Sequence, residues 1–178
     1  MMGMHRKLFI AAAAATAAIG ALAHAQEPVS ALKGHNSDAP VDVDADRFEV
    51  QERADRAVFV GNVKVKQAAL TLDTERLTIA YSTAGGVQIQ RLDASGGVVV
   101  RSPSETARGD FGVYDLDRKL ITLVGGVQLD RGGSRLSGAR LVIDLTSGRA
   151  VVDGGPAGVG QSGGRVTGHF TVPQRGNR

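Results

Sequence analysis

Two landmarks recur four times along this chain and keep a fixed distance from one another. The first is an alternating segment: Ala45-Asp46-Arg47-Phe48-Glu49-Val50, Thr74-Glu75-Arg76-Leu77-Thr78-Ile79, Gly109-Asp110-Phe111-Gly112-Val113-Tyr114 and Gly138-Ala139-Arg140-Leu141-Val142-Ile143. The second is a glycine turn: Gly61-Asn62-Val63, Gly96-Gly97-Val98, Gly125-Gly126-Val127 and Gly154-Gly155. First landmarks lie 29, 35 and 29 residues apart, and second landmarks 35, 29 and 29. One six-residue insertion around Ser82-Thr83-Ala84-Gly85-Gly86 reconciles both series. A fixed period of this length marks a stacked, solenoid-like architecture, in which each unit buries its apolar face only against its neighbours.

The alternation inside each unit sets the type of secondary structure. In residues 59–81, Val63, Val65, Leu70, Leu72, Leu77 and Ile79 take every second position, with Lys64, Lys66, Thr71, Asp73 and Thr78 between them. A period of two places alternate side chains on one face of a strand. Each unit is read as about four short antiparallel strands, with turns at residues 115–118, 131–133 and 146–148, where Asp, Ser and Gly tolerate turn geometry. No helical period persists after residue 25. The predicted fold is all-β: an elongated, V-shaped folded sheet or jelly-roll of repeated short antiparallel strands.

A folded sheet gathers its apolar face inside. The inward set is Phe48, Val50, Val58, Val63, Val65, Leu70, Leu72, Leu77, Ile79, Val87, Ile89, Val98, Val100, Phe111, Val113, Ile121, Leu123, Val127, Leu129, Leu136, Leu141 and Ile143. All but Val58, Val87 and Leu136 are candidates to line a lipid-binding groove. Ordinary core packing accounts for any one of them. Together, on a sheet folded like a trough, they form a continuous aliphatic lining able to receive hydrocarbon chains.

The flanks read differently. His5-Arg6-Lys7, an apolar run at residues 8–22 and Ala23-His24-Ala25 have the order of a cleavable secretory signal, with cleavage after Ala25. Removing Arg6 and Lys7 from the 21 Lys+Arg leaves 19 against 18 Asp+Glu, so the remainder carries about +1 and shows no clustered basic surface for nucleic acid. Cysteine is absent, so packing and backbone pairing rather than disulfides must stabilise an exported chain of this kind. Residues 26–40 are expected to be a flexible lead-in and residues 41–154 the β domain. Residues 155–178 are expected to be a glycine-rich, mostly disordered tail with an edge strand at residues 165–170.

Catalysis finds little support. Residues 41–154 contain neither His nor Cys, which removes the usual general base, thiol nucleophile and soft metal ligands. Asp115, Asp117 and Asp144 sit where turns need caps. Gly158-Val159-Gly160-Gln161-Ser162-Gly163 matches G-x-G-x-x-G in letters, but no helix signal and no acidic residue follow it. No catalytic residue, cofactor or metal is expected. An outer-membrane barrel is disfavoured by the few aromatic residues that cleavage would leave, Phe48, Phe59, Phe111, Phe170, Tyr81 and Tyr114, and by strands that read as too short to span a bilayer.

The D-R-F-x-V and R-L-x-I segments, the Phe59-x-Gly61-Asn62-Val63 turn and the run Leu136 to Arg149, L-x-G-A-R-L-V-I-D-L-x-S-G-R, resemble the OstA-like domain family over about residues 41–154. The resemblance implies a twisted β-jelly-roll in the periplasm that holds the lipid A acyl chains of lipopolysaccharide. It implies bridging between inner and outer membranes, with homologous OstA-like domains of transport components at both membranes as partners. Head-to-tail association of identical copies is implied as well. The competing expectation is an exported structural or adhesive β-repeat scaffold with a closed core.

Overall fold

Alternation at a period of two becomes ten antiparallel strands in one sheet. The structure, a computed structural model, describes Leu32, residues 35–155 and residues 164–171. The strands are β1 (Val41–Asp44), β2 (Arg47–Gln51), β3 (Arg56–Gln67), β4 (Leu70–Ser82), β5 (Gln88–Arg101), β6 (Glu105–Asp115), β7 (Leu120–Arg131), β8 (Ser134–Asp144), β9 (Arg149–Asp153) and β10 (Thr167–His169). A 3-10 turn, Glu52–Ala54, follows β2. Among the described residues there is no α-helix, and no helix is long and apolar enough to cross a membrane. The signal-like segment and the G-x-G-x-x-G match at residues 158–163 lie outside the described residues.

Strands β3 to β8 pair consecutively, each hydrogen-bonded to the next. The two ends of the sheet are built alike. β1 and β2 pair with opposite halves of β3, and β10 and β9 with opposite halves of β8. Each end is therefore one strand broken in two, and the sheet has eight strand positions. At about 4.8 Å per strand the stack is roughly 35 Å long.

Two expectations about the strands are corrected. β3 to β8 run 11 to 14 residues each, so a repeat unit holds two long strands rather than four short ones. The first three glycine pairs lie within strands, not between them, and only the fourth, Gly154-Gly155, follows a strand end. At Gly61-Asn62, Gly96-Gly97 and Gly125-Gly126 the ladder slips its register as a bulge, with positive φ at all six residues. Bulges bend strands, and these recur at the same height in β3, β5 and β7. Strand length is therefore no argument against a bilayer-spanning barrel. The open, creased sheet is the observation that counts against one.

Why glycine stands at the crease follows from the neighbouring strand. A Cβ on Gly96, at φ +88°, would lie 2.7 Å from Glu75 Cβ. Gly61 and Gly125 meet Asp46 and Asp110 in the same way. In the first three units the acidic second residue of the first landmark packs over the glycine of the second, whereas the fourth unit has Ala139 in that place.

The crease divides the sheet into two walls that face one another. One wall carries β2, β9 and the adjacent halves of β3 to β8, and the other carries β1, β10 and the remaining halves. Contact between them is direct: a Cβ on Gly112 would meet Leu123 of its own wall at 2.9 Å and Val98 of the facing wall at 3.1 Å. A single apolar cluster joins residues of both walls, with Leu77 and Leu141 fully buried. Arg and Asp side chains pair on the outer surface, as Arg91 does with Asp93 and Arg140 with Asp153. Exposed pairs of this kind add little stability.

Candidate functional site

Strand register fixes which side chains share the inner surface, because residues directly opposite in a ladder point to the same face. On the first wall one row runs through all eight positions: Phe48, Phe59, Leu77, Ala94, Gly112, Leu123, Leu141 and Val152. A second row beside it runs Val50, Ala57, Ile79, Leu92, Tyr114, Ile121, Ile143 and Ala150. The facing wall supplies Val43, Val65, Leu72, Val100, Ala107, Leu129, Leu136 and Gly168. These rows bring all four repeat units onto one apolar surface.

Most of the residues expected inside are there. Val63, Val65, Leu70, Leu77, Ile79, Val98, Val100, Ile121, Leu123, Val127, Leu129, Leu141 and Ile143 are buried in the shared cluster, with Leu72, Ile89 and Leu136 packed against it. Phe48 and Val50 lie on the inner face but at the edge strand, so Phe48 remains 57% exposed and stacks on Phe59 at a centroid distance of 4.8 Å. They form an apolar lip at one mouth of the fold.

Four residues of the inward set are placed differently. Phe111 pairs with Ser95 and Val124 on the outer face and is 55% exposed. Val113 pairs with Asp93 and Thr122, also on the outer face, although it borders the interior gap. The inner positions of β6 belong to Gly112 and Tyr114, which stand in the repeat where Leu77 and Ile79 stand in the second unit. Val58 is buried on the outer face opposite Thr78 and Glu49, and Val87 is exposed in the β4–β5 loop.

Several inner residues escaped the sequence reading. Leu92 and Ala94 were hidden by a second slip of the β4–β5 ladder, between Ala80 and Tyr81. Leu116 and Leu145 follow β6 and β8 and close the rim, their backbone N–H groups donating to Gln90 and Lys119 carbonyls. They lie 29 residues apart, so the repeat itself was the available signal.

The interior is apolar and nearly full. Beneath Val41, Gln67 and Tyr114 a gap remains between the walls, lined by Val65, Leu70, Leu72, Leu92, Val100, Ile121 and Leu123, with about 30 Å³ of free space. The alternating aliphatic set implies a channel able to take an acyl tail; here the side chains of the two walls meet in one cluster around this gap.

Polar groups inside are few. Gln67 is 3% exposed on an otherwise aliphatic row. Its Nε2 donates to the carbonyls of Ser37 (2.9 Å) and Ala39 (3.0 Å), and its Oε1 lies 3.0 Å from His35 Nε2. Burial pushes the Tyr114 phenol above its ordinary value of 10.0, and the charge of Asp38 acts in the same direction. Among the described residues no group of His, Cys, Asp or Glu could hold a metal ion.

Comparison with known proteins agrees with this geometry. Residues 42–149 match the family described as LptA/(LptD N-terminal domain) LPS transport protein. A protein of Rhizobium meliloti, described as uncharacterized, is 32% identical over 158 residues, covering 81% of this chain and 85% of its own length. The fold is similar to that of LptH from Pseudomonas aeruginosa, described as the LptA homologous periplasmic component of a lipopolysaccharide transport device. That similarity has a TM-score of 0.68 at 16% identity and covers 78% of this chain and 99% of LptH. Members of such a family transport lipopolysaccharide and are not enzymes. With four repeats creased into one sheet and its strands matched from β1 to the start of β9, the chain belongs to the LptA and LptD N-terminal-domain family of lipopolysaccharide transport proteins.

Proposed function

We propose that this protein is a periplasmic carrier that shields the acyl chains of lipid A between its two walls and passes lipopolysaccharide from the inner to the outer membrane. The observation that supports it is the set of apolar rows running unbroken through eight strand positions, with an apolar lip of Phe48 and Val50 at one mouth. Removing one methylene from water is worth about 0.8 kcal/mol. A tail of about a dozen carbons crossing water unshielded thus meets a barrier on the order of 10 kcal/mol. Apolar walls that part and reclose remove that barrier without a chemical step.

At roughly 35 Å one copy spans only part of the distance between two membranes. The terminal strands at each end are the edges by which it joins OstA-like domains of inner- and outer-membrane components, or further copies of itself head to tail. Export with cleavage after Ala25, and groove-lining roles for the inward residues that lie on the inner face, belong to the same reading.

The nearly filled interior favours a second reading, a scaffold whose inner residues only pack. Lipid extraction and mass spectrometry of protein purified from the periplasm, with titration of delipidated protein by intact and deacylated lipopolysaccharide, separates the two. The carrier reading expects co-purified lipid and saturable binding that requires the acyl chains. Absence of both would establish the scaffold.

A further inference from the structure

Residues 35–40 cross from one wall to the other. Gln67, at the rim of the second wall, holds the backbone carbonyls of Ser37 and Ala39 and faces His35. Asp38 reaches the opposite rim, where its carboxylate lies 4.0 Å from Lys119 Nζ in the β6–β7 turn. Just before this segment, Leu32 is 4% exposed within the apolar cluster. The 30 Å³ gap lies between Gln67 and Tyr114, the two rim residues that this segment touches. A lead-in expected to be flexible is here a crossbar over the open side of the trough.

Beneath the crossbar the hydroxyls of Ser37 and Tyr114 lie beside one another, both buried. Gln67 is what fastens it: once its partners leave, an amide stranded on an aliphatic row keeps none of its bonds, which is costly. The segment is thus held chiefly by one side chain.

We propose that Leu32 and residues 35–40 form a strap that occupies the acyl-chain site from within, with Gln67 as its latch, so that lipid enters by displacing the strap. This rests on the carrier reading. The apparent affinity for lipid is then reduced by the fraction of molecules with the strap in place, and loosening the latch raises it.

The test compares the full chain with Gln67→Leu, which keeps the volume of the side chain and removes its hydrogen bonds. Hydrogen exchange reports the strap at the amides of His35, Ser37 and Ala39, and the fold at β4 to β7. Fluorescently labelled lipid A reports binding. Gln67→Leu removes all three of the Gln67 contacts and is expected to speed strap exchange and tighten lipid A binding, each by at least roughly tenfold, the size of one lost net hydrogen bond. Protection in β4 to β7 should stay unchanged. Leu32→Ala, which withdraws the apolar anchor, is expected to act in the same direction and serves if Gln67→Leu does not fold. A freed strap with unchanged or weaker binding overturns the proposal, as does a strap whose exchange neither variant alters. Failure of every protein to bind lipid A, with the strap released as expected, overturns the carrier reading and with it the competition.

Discussion

Adjacent glycines at the crease of β5 differ in one respect that can be measured. Gly96 and Gly97 both adopt positive φ, +88° and +83°, so alanine at either site incurs the left-handed backbone cost, about 1–2 kcal/mol. Only Gly96 lies against another strand. Its added Cβ would sit 2.7 Å from Glu75 Cβ and 3.3 Å from Cγ, whereas a Cβ on Gly97 meets nothing within 4 Å. Glu75 Cβ is fixed to the backbone of β4 and cannot swing aside, so Gly96→Ala must push two strands apart. Overpacking of that kind costs a further 1–3 kcal/mol or so. At roughly 2–4 °C per kcal/mol for a chain of this size, Gly97→Ala should lower the thermal midpoint by about 2–8 °C and Gly96→Ala by about twice as much, roughly 4–20 °C. Circular dichroism melts of the two single variants supply the comparison. Equal losses, or the larger loss in Gly97→Ala, would show that close packing against Glu75 is not what requires glycine there.

Other consequences follow from the register and the turns. Leu141→Ala removes a fully buried side chain and should cost about 3 kcal/mol, while Phe111→Ala on the outer face should change stability by no more than about 0.5 kcal/mol; chemical denaturation of both decides whether β6 is oriented as described. Asp144 accepts from the N–H groups of Thr146 and Ser147 at the β8–β9 turn, and these bonds hold its carboxyl below the ordinary value of 3.8. Because the folded value is depressed, the stabilisation is complete above the ordinary carboxylate range and is lost as pH falls through the folded value. Amide signals of Thr146 and Ser147 should therefore shift only below about pH 4, and Asp144→Asn should abolish that titration.

The repeat made most of the fold legible, because two landmarks with one period fix the strand content and the face of most strands. The bulges were harder to read. Gly-Gly between two alternating runs looks like a turn, and only pairing with the next strand distinguishes a bulge that leaves one long strand from a turn that makes two. Phe111 and Val113 show where hydrophobicity misleads. Aligned on the repeat, Gly112 and Tyr114 occupy the places of Leu77 and Ile79, yet the larger apolar side chains drew the assignment one residue away, and a one-residue slip exchanges the faces of a strand. Gly112 stands there because Leu123 and Val98 fill the space a side chain would need. Gln67 was visible as the one polar residue in the series Val63, Val65, Gln67, but its meaning depends on residues 35–40, whose polar composition gives no hint of where they dock.

The carrier account is tested most directly by photo-crosslinking to lipopolysaccharide from four single positions, two on each face of the same wall. Ile79 and Leu123 lie on the inner rows, and Thr78 and Thr122 lie on the outer face. Labelling from Ile79 and Leu123, with none from Thr78 and Thr122, is the expected result. Equal labelling from all four, or labelling from the outer pair alone, would contradict it.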